Sequence, residues 1–248
     1  MSRYRTRSGI VLRRHVTPDG DVLLRILAPD GKVAAVARSG AKGPRSPKLN
    51  LFQHITFQTY ERPGSDLVTL TQVSLEGALP GLSSPERYPY AHLIAELADQ
   101  LWQENDRVGQ AGFELLSGAL RGLVRHHDPD RVALVMAWKL LGFSGLFPRL
   151  GACVETGATD DLTHFDPVAG GALRGGIGRG IPVGEDALEE LGFIGRSTVR
   201  EVLDDDVPEH ARAGLWRALE AYTRAHVGEL KAWEAIRSLR SSLAPARA

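Results

Sequence analysis

The sequence is short of the residues that mark several functional classes. Its 248 residues include one cysteine, Cys153, so it can build no internal disulfide, no thiolate metal cluster and no redox CxxC pair. No stretch approaches the roughly 18 consecutive apolar residues that span a bilayer, which excludes a transmembrane helix. The N-terminal run MSRYRTRSGIVLRRHV is basic, but it lacks the apolar core of about 7–15 residues and the small-residue cleavage site of a secretory signal. A cytoplasmic protein is expected. Also missing are the GxxxxGK phosphate loop, the GxGxxG fingerprint, the HExxH zinc motif and the GxSxG elbow, so nucleotide-driven and hydrolytic chemistry lose their usual markers. The eight histidines are scattered, and no set of acids, histidines or metal ligands can be brought together from their spacing. An enzyme is not expected, nor any cofactor or metal.

What is present is charge, unevenly placed. The chain as a whole is neutral, with 30 basic and 30 acidic residues. Residues 1–78 hold twelve basic residues (Arg3, Arg5, Arg7, Arg13, Arg14, Arg25, Lys32, Arg38, Lys42, Arg45, Lys48, Arg62) against six acids, which leaves +6 there and −6 on the rest. Such separation lets one region attract a polyanion while the other repels it or meets a basic partner. Chance clustering of surface charge is the plainer explanation. The alternating Arg3, Arg5 and Arg7, and the crowding of Arg38, Lys42, Arg45 and Lys48, favour a functional one.

Residues 8–78 read as five short strands, SGIVLRRHV, DVLLRILAPD, KVAAVARSG, HITFQTYER and DLVTLTQVSLEG. The PDG tripeptides at 18–20 and 29–31 are tight turns, so the first three strands should form a meander. The next connection, GAKGPRSPKLN, is expected to be an irregular loop that exposes its charges. Five strands in this length suggest a small barrel, with the OB fold the commonest solution and an SH3-like barrel the alternative.

From about residue 85 the apolar period changes to that of a helix. Tyr90, Leu93, Ile94, Leu97 and Leu101 stripe a helix opened by Ser84-Pro85, and Phe113, Leu116, Leu120, Leu123 and Val124 stripe a second. The run from Asp128-Pro129 to about Gly142 is apolar almost all round and should be the buried centre of a bundle. Residues 149–180, rich in glycine, read as an irregular insert. Two short helical pieces, EDALEELGF and STVREVL, come next. A long final helix follows Pro208, with Leu215, Trp216, Leu219, Tyr222, His226 and Leu230 on its stripe.

Several features admit a sharp and a plain explanation. Gly175, Gly176, Gly178 and Gly180 resemble a phosphate cradle, but no strand reads before them and no nucleotide fingerprint has their spacing. Ser39 and Lys42 form an SxxK that is better explained as a loop serine beside a DNA-facing lysine. His126-His127 suit a helix C-terminus rather than a metal, and His226 a core or edge position. The run Asp204-Asp205-Asp206 is read as capping the helix after Pro208, since three adjacent carboxylates cannot converge on one ion.

The basic strand-and-loop region is the strongest functional signal. Cations are plentiful, but its aromatics are only Tyr4, Phe52, Phe57 and Tyr60, with Phe57 alternating as a core residue would. Electrostatics should therefore dominate, with nucleic-acid binding tolerant of sequence and of strandedness.

RSGIVLRR, GKVAAVARSGAKGPRS and SDLVTLTQVSLEGALPGL, followed by ERYPYAHLIAELADQLWQE, VALVMAWKLLGFSGLFP and LWRALEAYTRAHVG, together resemble the RecO family of recombination mediators over nearly the whole chain. The resemblance implies an α+β protein: an N-terminal five-stranded OB barrel over residues 1–80 and an α-helical bundle over 81–248, with a small zinc ribbon inserted at 149–180. It further implies binding of single- and double-stranded DNA, annealing of complementary strands and, with RecR, loading of RecA on DNA covered by single-strand binding protein, whose tail would meet the C-terminal helices. It implies as well that no nucleotide is consumed. Where many members carry two CxxC pairs, this chain has Cys153, Thr156, Gly175 and Gly178, so the ribbon is degenerate and no zinc is expected. Arg5, Arg7, Arg14, Arg38, Lys42, Arg45 and Lys48 are the candidate phosphate contacts, those of the 38–48 loop foremost. The competing reading is an OB-containing interaction scaffold whose basic face docks an acidic protein.

Overall fold

A computed structural model of the chain describes residues 3–61, 67–103, 108–177 and 180–243, in two compact units, 1–126 and 127–248. In the first unit the two PDG turns reverse the chain as their chemistry requires. β1 (Tyr4–Val16), β2 (Val22–Ala28) and β3 (Gly31–Ala37) form an antiparallel meander, and β4 (His54–Tyr60) and β5 (Val68–Gly77) complete a closed barrel in the order β1-β2-β3-β5-β4. This is an OB fold.

Closure depends on the length of β1. Its first half pairs with β4, from Tyr4↔Tyr60 to Ile10↔His54, and its second half with β2, from Ile10↔Leu27 to Val16↔Val22. Where the strand passes between partners stands Gly9; a Cβ there would lie 2.6 Å from the Leu27 carbonyl oxygen, so only glycine lets the backbones approach. A two-rung parallel pairing, Ala35↔Val68 and Val36↔Thr69, shuts the other seam. Val11, Val22, Leu24, Ile26, Ile55, Phe57 and Leu70 fill the interior.

The connection after β3 is not wholly irregular. Ser46–Leu49 form a 3₁₀ turn, and Leu49 is fully buried in the barrel core. Pro47 at the turn's start supplies a fixed φ, and burying Leu49 contributes about 2–3 kcal/mol.

Helix α1 (Tyr88–Leu101) starts later than Ser84-Pro85 suggests. Ser84 is extended, as the residue before a proline tends to be, and Pro89 in the first turn sets the true start. With α2 (Gly109–Arg125) it belongs to the barrel's unit. Lys32 on β3 is buried against α1, its ammonium 3.1 Å from the Asp99 carboxylate and also bonded to the Asp99 carbonyl. His126 is the C-cap residue of α2.

In the second unit α3 (Pro129–Phe143) is the buried centre that its composition implies: Asp128 caps it by accepting from the Arg131 amide, and Arg131 through Trp138 are all buried. The glycine-rich segment, expected to be irregular, carries a three-stranded antiparallel sheet: β6 (Leu162–Asp166), β7 (Gly171–Arg174) and β8 (Ile181–Pro182), in the order β7-β6-β8. Asp166 accepts from the amides of Val168 and Ala169 at 2.9 Å and so makes the hairpin turn. Phe165 on β6 is wholly buried, with Trp138 and Tyr222 packed on its ring. That aromatic trio anchors the sheet to the helices.

Helices α4 (Glu185–Arg196) and α5 (Val199–Asp204) follow, α5 opening on a capping box between Thr198 and Glu201. Contrary to expectation, Asp204-Asp205-Asp206 do not cap the next helix: α6 (Glu209–His226) has Pro208 at its N-cap with no side-chain bond, and Asp204 pairs with Arg200 within α5. Nor is the final helix continuous. At Gly228, with φ of 123°, the chain leaves the helical region, so Leu230 lies in a connection and a separate α7 (Ala232–Leu243) begins. His226 is exposed at the edge, packed at a tilt against Tyr222 and bonded to the Pro167 carbonyl at 2.7 Å. Among the described residues no helix is long and apolar enough to cross a membrane.

Candidate nucleic-acid interface

The loop after β3 is held at both ends. At its root Asp21 takes the Ser39 amide at 2.8 Å and the Arg38 guanidinium at 2.6 Å, and these two donors hold its carboxyl below the usual carboxylate range. Ser39 sits at φ 51°, a left-handed conformation that the Asp21 bond offsets. At its far end Leu49 plugs the barrel. Between these anchors Lys42 and Arg45 are exposed. Arg45 lies 3.5 Å from the Thr71 carbonyl, and Lys48, half-buried, 3.4 Å from that of Val73, so the cations run along β5. A strap pinned in this way presents its charges at little further loss of conformational entropy.

The other candidate contacts fall into different settings. Arg5 is exposed, 3.5 Å from Glu61. Arg38 is 69% exposed despite its bond to Asp21. Arg7, by contrast, has only 14% of its side chain exposed and is held by Asp30 at 2.9 Å and Glu61 at 3.4 Å, where it ties β1 to the β2–β3 turn and the end of β4. Arg14 is half-buried, and its Nε is enclosed without a partner. Ser39 and Lys42 of the SxxK are loop residues on this strap, and the Asp21 carboxylate takes the Ser39 backbone amide.

A second cationic surface is invisible to the strand pattern. A bulge between Val11 and Arg13 shifts the alternation of β1, so that Arg13, rather than Arg14, faces outward beside His15. Arg13 stands directly opposite Arg25 of β2, and the two rim a groove floored by Leu23, Ala34 and Leu67. Period-two patterning alone cannot find this pair, because the bulge leaves no mark in the composition.

The residues of the glycine-rich insert do not fit a zinc ion. Cys153 is buried, and its sulfur accepts from the Thr156 hydroxyl and from the backbone amides of Arg174, Thr156 and Glu155, which together draw its pKa down to about 7. Gly175 has no side-chain ligand atom and faces the Asp161 carboxylate; Gly178 lies outside the described residues. Among the described residues no three His, Cys, Asp or Glu side chains converge as metal ligands. Gly175, Gly176 and Gly180 border the sheet of the insert and open no helix, so no phosphate cradle forms among them.

Comparison with known proteins agrees with this architecture. The family model described as recombination protein O, N terminal, matches residues 1–78, and that described as recombination protein O, C terminal, matches residues 82–234. The chain is 32% identical over 229 residues to the DNA repair protein RecO of Symbiobacterium thermophilum, covering 85% of this chain and 87% of that protein. It is 30% identical over 216 residues to the DNA repair protein RecO of an Anaeromyxobacter species, covering 79% and 80%. The Bacillus subtilis protein of the same name is 30% identical over 136 residues, covering 54% and 52%.

Proposed function

The chain belongs to the RecO family, and from that premise we propose that it is a non-enzymatic, DNA-binding mediator of recombinational DNA repair acting in the cytoplasm. It binds single- and double-stranded DNA, anneals complementary strands and, with RecR, assists the loading of RecA on DNA covered by single-strand binding protein. The observation that carries this reading is the pinned strap of the OB barrel, with Lys42 and Arg45 exposed on it and Arg38 at its root.

The physical basis is charge neutralisation. Cations held in place along a strand displace counterions from phosphates whatever the base sequence, and two strands neutralised on one surface repel each other less, which favours pairing. For the tail of single-strand binding protein, acidic and apolar, we take the groove between α6 and α7 as the docking surface: Trp216 and Trp233 pack edge to face at its base, and Arg217 borders it with Arg237 and Arg240, which are paired with Glu220 and Asp130.

Fluorescence anisotropy with a labelled single-stranded oligonucleotide over a salt series tests the reading. With about six phosphates neutralised, log K should fall against log salt with a slope near −4. A slope shallower than about −1 overturns it. Replacing Lys42→Glu and Arg45→Glu together should weaken binding of all sequences alike, and unchanged affinity removes the strap from the interface.

A further inference from the structure

The register of the barrel brings together two aromatic residues that lie far apart in the chain. Tyr4 near the start of β1 is paired with Tyr60 at the end of β4. Their ring centroids are 5.2 Å apart and tilted by 53°, and Tyr4 remains 53% exposed. A cation borders the pair, since Arg3 donates to the Tyr60 hydroxyl at 3.2 Å, whereas Arg5, the next residue along β1, is exposed on the opposite face of the strand. Glu61, the acid beside the pair, is engaged by Arg5 and Arg7.

The same sheet connects this pair to the basic strap. Thr6 pairs with Gln58, and Gln58 with Gln72, a rung of uncharged polar residues across β1, β4 and β5. The Thr71 hydroxyl, 3.1 Å from the Gln58 side chain, belongs to the residue whose carbonyl Arg45 approaches. Two inter-strand spacings, about 10 Å, separate β1 from β5. A nucleic-acid strand whose phosphates follow the strap thus has its bases within reach of the tyrosines.

We infer that Tyr4 and Tyr60, bordered by Arg3, form a stacking platform for unpaired nucleobases, by which the barrel favours single-stranded over duplex DNA. The inference rests on the DNA-binding reading above. The cations of the strap act on phosphates of either form. A ring acts only on a base whose face is open, and in a duplex those faces are closed by neighbouring base pairs.

The test uses the full chain, a single-stranded oligonucleotide carrying 2-aminopurine, and a hairpin duplex of equal charge. Tyr4→Ser should lower affinity for the single strand by about 5- to 100-fold and abolish the quenching of 2-aminopurine, while duplex affinity changes by less than about twofold. Tyr60→Phe keeps the ring and should keep the preference; circular dichroism and thermal melting verify that both variants fold. A Tyr4→Ser variant that folds yet loses affinity for both forms equally, or for neither, overturns the platform alone. Wild-type protein that binds neither form overturns the DNA-binding reading, and the platform with it.

Discussion

The two units use the same residue types for opposite purposes. On the barrel, Lys42, Arg45 and Arg13 are exposed on a strap and a sheet face. In the helical unit several cations are instead drawn into the framework: Arg131, only 3% exposed, binds Glu190 at 2.5 Å, Arg212 binds Asp128 at 2.7 Å, Arg240 binds Asp130, and Lys139 reaches the Ser197 carbonyl. A count of charges cannot separate these uses, but the availability of carboxylates can. Asp128, Asp130 and Glu190 of the second unit hold its own framework together, whereas Asp21 of the barrel sits at the root of the strap and Glu61 at the base of β1. The contrast makes the helical unit sensitive in stability and the barrel sensitive in ligand affinity.

The largest effect on folding is therefore expected at Arg131 and Glu190. Glu190→Ala leaves a buried guanidinium whose Nε and Nη1 already lack partners, and should cost about 3–5 kcal/mol in urea denaturation. Replacing both residues, Arg131→Met with Glu190→Leu, should recover most of that loss. If the single variant is nearly neutral, the inward-facing charges of the helical unit are not structural, and the contrast fails.

Leu49 is where core and ligand-binding surface meet. Leu49→Ala should cost about 2–5 kcal/mol by opening a cavity in the barrel, and should also weaken DNA binding by releasing one anchor of the strap. The two losses are separable: denaturation reads the first, and anisotropy at a temperature where the variant is folded reads the second. Smaller again in stability is the effect of Lys42→Glu with Arg45→Glu, within about 0.5 kcal/mol because both side chains are exposed. Its salt slope should become shallower by about 0.7 for each single-strand phosphate that is no longer neutralised. Arg7→Ala should behave in the reverse sense, with stability reduced and the slope unchanged, since its guanidinium is already committed to Asp30 and Glu61.

What the amino-acid order reveals by itself follows from the range of the interactions involved. The barrel strands and their meander are local, encoded by period-two patterning and two PDG turns, and α3 is encoded by its unbroken apolar run. The sheet of the insert is obscured because glycine supplies no alternation, and its anchor, Phe165 against Trp138 and Tyr222, joins residues from three separate segments. The break between α6 and α7 turns on Gly228, which in the sequence is one more small residue within a helical stripe. The capping box at Thr198 and Glu201 is legible in STVREVL, whereas the Tyr4–Tyr60 pair is not, because it depends on the register of strands far apart in the chain. Of the proposed site, then, the strap is visible as composition, the Arg13–Arg25 face is hidden by a bulge, and the aromatic pair requires the closed barrel.

A further contrast concerns Cys153, where a polar turn holds an ionisable group, against a neutral barrel core. Hydrogen bonds from the Thr156 hydroxyl and then from the amides of Arg174, Thr156 and Glu155 favour the thiolate, against burial, and bring its pKa from the ordinary 9.0 to about 7. Because the folded value is depressed, the thiolate's contribution to stability is complete above about pH 9 and is lost as the pH falls through about 7. Denaturation of the wild type at a series of pH values should show stability rising across that window, and Cys153→Ser should flatten the rise. Thiolate absorbance near 240 nm should titrate around pH 7 in the folded protein and about two units higher in urea. A native titration near pH 9 would mean that the hydrogen bonds at this turn do not favour the ionised sulfur, and that the insert depends on its Phe165 anchor without any contribution from the thiolate.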